Sequence, residues 1–111
     1  MDGATVQSRW FDVCRLDEIP LRGARVVRTP GREIGLFRTA DGEVLAIDNR
    51  CPHKNGPLTE GIVHDGAVTC PLHSWVIDLR TGKARGADEG CVGTFAVEIR
   101  AGERVFLKAS D

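Results

Sequence analysis

Short apolar runs separated by glycine-containing turns recur along the chain, and this pattern most strongly constrains how it can fold. The clearest case is the pair of runs 33–37 and 44–47, which flank Asp41-Gly42. Asp-Gly between two apolar runs favours a tight β-hairpin, because glycine adopts positive φ without steric cost. No window of helical length shows an apolar period of 3.6 residues. The sequence therefore predicts an all-β domain of hairpins, with about ten short strands.

The same reasoning predicts further hairpins and a single helical turn, the turn falling at 17–19 before Pro20. The hairpin turns are Asp65-Gly66 between the runs 62–63 and 68–70, Thr81-Gly82 after 75–78, and Ala101-Gly102 between 95–99 and 104–107. Two stretches lack strand character, 49–61 and 85–90. Loops of this kind in a small β domain often carry the function.

The length of 111 residues predicts one domain, spanning 1–111. A domain of this size buries roughly two-thirds of the surface that its unfolded chain exposes, which is enough for one core. It leaves too little volume to enclose a flavin or a porphyrin as well. Chemistry that needs such a cofactor is therefore expected in a partner protein.

The charge balance and the distribution of apolar residues exclude several classes of partner. Fifteen Lys and Arg against sixteen Asp and Glu give a net charge of −1, which does not predict a nucleic-acid-binding surface. The opening stretch 1–9 is polar, and no run of about 20 apolar residues occurs, so we expect neither a signal peptide nor a membrane span. The expected location is the cytoplasm.

Two short segments each offer one thiol and one imidazole in the same order. Cys51-Pro52-His53 is followed, after sixteen residues, by Cys70-Pro71-Leu72-His73. Two Cys and two His can bind zinc as well as an iron–sulfur cluster, and they can also be four residues that only pack or lie on loops. A zinc finger usually takes its Cys pair from one element and its His pair from another. The duplicated order here favours two sulfide-bridged irons, with both Cys on one and both His on the other.

This pattern strongly resembles the Rieske fingerprint, C-x-H followed by C-x-x-H. The resemblance implies one [2Fe–2S] cluster, with Cys51 and Cys70 on the inner iron and His53 and His73 on the outer iron. It also implies a small antiparallel β-sandwich or barrel with an inserted cluster-binding subdomain, here about 49–80. Histidine ligands raise the reduction potential of such clusters above that of plant-type ferredoxins.

The chain departs from the high-potential Rieske proteins at four positions. Those proteins have a disulfide where this sequence has Gly56 and Leu72, and they have Ser and Tyr where it has Trp75 and Ile77. Losing hydroxyl donors to the cluster and thiolate sulfurs removes stabilisation of the reduced, more negative cluster. We therefore expect a potential near the low end of the Rieske range, which argues against quinol oxidation.

Two groups of stand-alone Rieske proteins resemble the chain, and its motifs favour the first of them over the second. The first is the small subunit of NAD(P)H-dependent assimilatory nitrite reductase, with C-P-H-K-x-G-P-L at 51–58, C-P-L-H-x-W-x-I-x-L-x-T-G at 70–82 and D-E-G-C-V at 88–92. This resemblance implies a redox subunit that is not catalytic on its own. Its partner would be a large subunit with flavin, iron–sulfur centre and sirohaem, which reduces nitrite to ammonia in nitrate assimilation.

The second group is the Rieske ferredoxins of aromatic-ring-hydroxylating dioxygenases, whose partners are a flavin reductase and an oxygenase. A third hypothesis, from another class, is a docking module in which the metal only fixes the loops. Presence of all four ligands favours the redox hypotheses. Of the remaining candidates, Cys14 and Cys91 are expected as buried core side chains, and His64 as an exposed hairpin residue. Trp75 fits either a shield over the cluster or a core aromatic.

Overall fold

The computed structural model describes residues 8–29, 31–52, 56–72, 74–86 and 90–110. These residues form ten strands and two 3₁₀ turns, and they confirm the predicted all-β antiparallel architecture. The strands are β1 (Ser8–Arg15), β2 (Ala24–Thr29), β3 (Arg32–Arg38), β4 (Val44–Asp48), β5 (Ile62–His64), β6 (Ala67–Thr69), β7 (Val76–Asp78), β8 (Thr94–Phe95), β9 (Val97–Arg100) and β10 (Arg104–Ser110). The 3₁₀ turns are Leu16–Glu18, which confirms the expected helical turn, and Leu58–Glu60.

The strands make three sheets with antiparallel pairing throughout. The terminal sheet has the order β1-β10-β9, the central sheet β2-β3-β4-β8, and the loop sheet β5-β6-β7. In the part of the chain that the structure describes, no helix is long and apolar enough to cross a bilayer.

The central sheet contributes to two hydrophobic cores, and strand β3 shows how. Successive side chains of a strand point to opposite faces, so Ile34 and Leu36 enter one core while Phe37 enters the other. The terminal core contains Cys14, Ile19, Ile34, Leu36, Val44, Ala46, Val105, Leu107 and Ala109. The loop core contains Phe37, Ile47, Cys51, Leu58, Val63, Val68, Cys70, Ile77 and Leu79. Each core therefore has its own face of the central sheet.

The predicted hairpin turns are where the sequence placed them. Asp65 and Gly66 both have positive φ, 51° and 70°, between β5 and β6. Two consecutive positive φ values define the hairpin turn whose twist matches that of paired strands. The β3–β4 hairpin likewise turns around Asp41-Gly42, and the β9–β10 hairpin around Ala101-Gly102. Strand β7 precedes the turn at Thr81-Gly82 as predicted.

One predicted strand, 95–99, is in fact two. Phe95 pairs with Ala46 in the central sheet, whereas Val97 pairs with Leu107 in the terminal sheet. The chain changes sheets at Ala96, whose carbonyl accepts a hydrogen bond from the Lys108 amide at 3.0 Å. Both Phe95 and Val97 pack against the terminal core. This corner joins the two sheets around a single core, and no turn residue in the sequence marks it.

Candidate metal centre

Two cysteines from separate loops meet in the loop core. Cys51 lies three residues beyond β4, and Cys70 follows directly after β6. Their exposed fractions are 1% and 2%, both thiols are free, and the side chains are close enough to hydrogen-bond each other. The structure thus brings together the two predicted thiolate ligands, although 18 residues separate them in the sequence.

The surroundings of Cys70 favour its neutral thiol over the thiolate when no metal ion is bound. Burial raises the pKa of the Cys70 thiol, and the adjacent Cys51 raises the pKa further. The backbone N–H of Leu72 opposes both effects by donating to the Cys70 sulfur. A metal ion takes cysteine as the thiolate, and its charge compensates for burying two thiolates side by side. The pair therefore fits two ligands of one iron, and the Leu72 amide fits a donor to a thiolate sulfur.

The backbone of each loop is closed by its own hydrogen bonds. In the first loop, the Cys51 amide donates to the Gly56 carbonyl at 2.8 Å. In the second loop, the Cys70 amide donates to the Trp75 carbonyl at 2.7 Å, and the Ser74 amide donates to the Cys70 carbonyl at 3.2 Å. Ser74 has a φ of 61°, a conformation that few residues other than glycine adopt. The second loop is therefore a tight, strained turn that returns directly from Cys70 to β7.

The two loops touch at the positions where the high-potential Rieske proteins carry a disulfide. A Cβ added to Gly56 would lie 2.8 Å from Leu72 Cδ1 and 3.4 Å from Cys70 Sγ. Gly56 is buried, and Leu72 remains 48% exposed. An apolar contact between a glycine and a leucine thus occupies the place of the covalent link.

Gly90, at the end of the stretch 85–90, lies against both cysteine-bearing loops. A Cβ added to Gly90 would lie 3.1 Å from Pro52 Cβ and 3.3 Å from the Trp75 ring. The other end of this stretch is tied to β7, since Arg85 donates to Asp78 Oδ2 at 2.8 Å. Hydrogen bonds from Arg85 and from the backbone amides of Arg80 and Thr81 outweigh the effect of burial and hold the pKa of Asp78 below its usual range.

The other singled-out residues divide into confirmed and corrected predictions. Cys14 is a buried member of the terminal core, as predicted. Cys91 was expected to be buried, and this prediction is wrong: the residue makes only one bridge, to Lys83, and its side chain is exposed. Trp75 is partly buried and packs against the loop core, which agrees with the core-aromatic role; its role as a shield over the cluster stays a prediction. His64 is partly exposed and bonded to Asp65 and Thr69, at 3.1 and 2.5 Å.

The predicted ligands His53 and His73 lie outside the described residues, as do Lys54, Asn55 and 87–89. Among the residues that are described, three or more His, Cys, Asp or Glu side chains nowhere gather as a metal site. The Cys51–Cys70 pair is thus the part of the predicted centre that the structure describes. Sequence reasoning also missed Asn49, whose side chain ties the first loop to its surroundings. The sequence signal for this role was weak: Asn49 is a polar residue at the start of the stretch 49–61, which lacks strand character.

A small antiparallel β domain with a buried pair of free thiols between two loops fits the class of metal-binding β domains, and the comparisons identify the family. Residues 9–96 match the Rieske [2Fe–2S] domain. The chain is 50% identical over 74 residues to a 3-phenylpropionate/cinnamic acid dioxygenase ferredoxin subunit of Photorhabdus laumondii, covering 65% of this chain and 68% of the relative. It is 33% identical over 103 residues to the ferredoxin component of a naphthalene 1,2-dioxygenase system from Pseudomonas aeruginosa, covering 92% and 97%.

A solved structure confirms the fold. A Mycobacterium tuberculosis protein provisionally assigned as an NADH-dependent nitrite reductase small subunit has a TM-score of 0.83 at 23% identity, covering 93% of this chain and 96% of that protein. The chain belongs to the Rieske [2Fe–2S] domain family. It is a Rieske electron-transfer protein with a [2Fe–2S] cluster as its cofactor, which decides between the zinc and iron–sulfur alternatives.

Proposed function

We propose that Cys51, Cys70, His53 and His73 bind the cluster, with the cysteines on the inner iron and the histidines on the outer iron. The carrying observation is that Cys51 and Cys70 lie side by side, buried and without a disulfide bond, in two loops. When bound, the cluster supplies a one-electron carrier. The residues of the chain keep water from the thiolates and donate the Leu72 amide to one of them. The proposed cluster-binding subdomain is about 49–80.

Spectroscopy of anaerobically purified protein, before and after dithionite, tests the ligand set. We expect an EPR signal on reduction whose g-values differ from those of a four-cysteine cluster, and we expect a midpoint potential in the lower part of about −150 to +300 mV. Replacing His73 with alanine should abolish that signal. A colourless protein with stoichiometric zinc after iron-replete expression would contradict the proposal and favour the docking hypothesis.

The partner that the comparisons favour is an oxygenase. The chain is identical to a dioxygenase ferredoxin subunit at half of 74 aligned residues. It also aligns with 97% of the length of a second dioxygenase ferredoxin component. The chain would accept single electrons from a flavin reductase and deliver them to the oxygenase component of a ring-hydroxylating system. Its small size is consistent with a carrier that binds each partner in turn.

A second candidate, the small subunit of NAD(P)H-dependent nitrite reductase, is favoured by the three sequence motifs at 51–58, 70–82 and 88–92. In that case the partner is the large subunit of nitrite reductase, in a stable complex. The two candidates differ in what the reduced protein can reduce.

An electron-delivery experiment separates the two candidates. The dithionite-reduced protein, freed of excess dithionite, is mixed anaerobically with an oxygenase component or with a nitrite reductase large subunit from the same source. Reoxidation is followed by absorbance. Fast reoxidation by the oxygenase alone supports the ferredoxin function, whereas fast reoxidation and co-purification with the large subunit support the nitrite reductase function. A His73→Ala protein that still gives a fully active complex with either partner would favour a docking role instead.

A further inference from the structure

Asn49 is one of the few buried polar residues among those described, with only 7% of its surface exposed. Both ends of its amide group are used. Its Oδ1 accepts a hydrogen bond from the Thr59 backbone N–H at 2.8 Å, and its Nδ2 donates to Glu33 Oε1 at 3.2 Å. Its own backbone N–H donates to the Glu33 carbonyl at 3.0 Å. A buried amide whose oxygen and nitrogen both form hydrogen bonds links specific parts of the structure.

These bonds bracket the first ligand loop. Asn49 lies two residues before Cys51, and Thr59 lies in the 3₁₀ turn that ends the loop. The Asn49–Thr59 hydrogen bond therefore closes a ring of backbone around Cys51, and the Cys51–Gly56 hydrogen bond closes a smaller ring inside it. Both closures are made by protein groups alone.

The bonds to Glu33 fix this ring to the central sheet. Glu33 belongs to β3, and its other carboxylate oxygen, Oε2, lies 3.2 Å from Nε of Arg28 on β2. Thr59 also packs on the same sheet, because its Cγ2 would lie 2.8 Å from a Cβ added to Gly35. The start and the end of the loop are thus anchored to one rigid surface.

We propose that Asn49 is a positioning residue that holds the two ends of the first loop, and with them Cys51, in the cluster-binding arrangement before the cluster arrives. This inference rests on the proposed role of Cys51 as a ligand. Preorganisation of this kind removes the entropic cost of ordering the loop during cluster insertion. An amide is required because one partner is a backbone donor and the other a carboxylate acceptor. Aspartate at this position would place a second carboxylate against Glu33.

The test measures transfer of a preformed [2Fe–2S] cluster from a loaded scaffold protein to the metal-free chain. The variants are Asn49→Ala, Asn49→Asp, and Asn49→Asp combined with Glu33→Gln, in which the new Gln amide donates to the new carboxylate. Thr39→Ala is the matched control, because Thr39 is also buried, at 8% exposed, and its hydroxyl accepts a backbone hydrogen bond from Glu43 outside both ligand loops. The transfer rate, the EPR g-values and the urea midpoint are recorded for each.

We expect transfer to slow by at least about tenfold in Asn49→Ala, which loses the side-chain hydrogen bonds to both Thr59 and Glu33, with broadened EPR features in the loaded protein. Asn49→Asp should be similarly slow, and the double variant should recover most of the rate. Thr39→Ala should lower the urea midpoint and leave transfer unchanged.

Equal transfer rates in Asn49→Ala and Thr39→Ala would overturn the inference, as would the double variant showing no recovery over Asn49→Asp. If Asn49→Ala does not fold, the comparison of Asn49→Asp with the double variant decides. A parent protein that takes up no cluster would instead contradict the proposed ligand set, so the two failures are distinguishable.

Discussion

The terminal core and the loop core lie on opposite faces of the same sheet, and both contain buried cysteine. Cys14 in the terminal core is 3% exposed, as buried as Cys51 and Cys70 in the loop core. Burial raises the pKa of the Cys14 thiol, an effect that Arg25 partly offsets. What separates the two environments is the neighbour: Cys14 packs among aliphatic side chains, whereas Cys51 and Cys70 contact each other. Burial alone therefore does not distinguish the proposed ligands from Cys14, whereas the second buried thiol beside each proposed ligand does.

The strongest test of this comparison replaces each cysteine with alanine. Cys51→Ala and Cys70→Ala should each lose the cluster completely, because one iron then lacks a thiolate. Cys14→Ala should keep the full visible absorption of the cluster and lose only about 1 kcal/mol of unfolding free energy, from a small cavity. Iron and sulfide content per chain and urea titration provide the measurements. Loss of the cluster from Cys14→Ala at unchanged fold would break the distinction between the two cores.

The next largest effect is expected at Gly61. A Cβ there would lie 2.0 Å from the Thr69 carbonyl oxygen, which directly precedes Cys70, so Gly61→Ala must push the two ligand loops apart. We expect a loss of about 3 kcal/mol of unfolding free energy, together with cluster loss. Gly102→Ala is the control in the β9–β10 hairpin, where no atom lies within 4 Å but φ is 69°. It should cost only about 1 kcal/mol of backbone strain and leave the cluster in place.

A smaller effect is expected from Leu72→Ala, which removes the contact that stands in for the disulfide. The cluster should be lost to a chelator about five times faster, corresponding to about 1 kcal/mol of lost apolar contact between the loops. Ile99→Ala removes a comparably exposed aliphatic side chain from the terminal sheet, where Ile99 is 37% exposed. This control should lose its cluster at the parental rate. Equal rates in the two variants would show that the Gly56–Leu72 contact does not brace the centre.

The smallest expected effect concerns pH. The pKa of Asp78 is lowered in the folded state, so its carboxylate stabilises the fold above its unfolded pKa of about 3.8, and this contribution is lost as the pH falls through the lower folded value. Asp78→Asn should therefore lower the unfolding free energy by less than about 2 kcal/mol at neutral pH, and by progressively less as the pH falls below the unfolded pKa of about 3.8.

Asp17 provides the comparison on the terminal side. A hydrogen bond from Arg15 lowers the pKa of Asp17, but the Asp17 side chain is 69% exposed against 25% for Asp78. Solvent screens the more exposed pair, so Asp17→Asn should show a weaker pH dependence. Each variant is compared with the parent by urea titration at the same pH. Acid releases the cluster from all of these proteins, so its effect cancels in the difference in unfolding free energy. An equal pH dependence of the unfolding free energy in the two variants would contradict the claim that burial strengthens the Asp78 interaction.

Much of this architecture was predictable because its signals are local. Asp-Gly at 65–66 specifies a two-residue turn, and Asp-Gly at 41–42 lies in the five-residue connection between β3 and β4. The repeated Cys-Pro segments favour a shared site without any knowledge of the fold. The corner at Ala96 was not predictable, since apolar alternation continues through it while the hydrogen-bond partners change. The role of Asn49 depends on partners 10 and 16 residues away. Cys91 is exposed at the end of a loop, where an isolated bridge pairs it with Lys83, and the apolar residues beside it in the sequence do not reveal this.

The pairing of β1 with β10 sets an order of events during synthesis. Ser8 lies opposite Ser110, so the terminal sheet cannot be completed until the ribosome has made almost all of the described chain. The β3–β4 and β5–β6–β7 hairpins use neighbouring segments and can form as they emerge, since contacts close in sequence form fastest. The segments that carry Cys51 and Cys70 are therefore synthesised before β10.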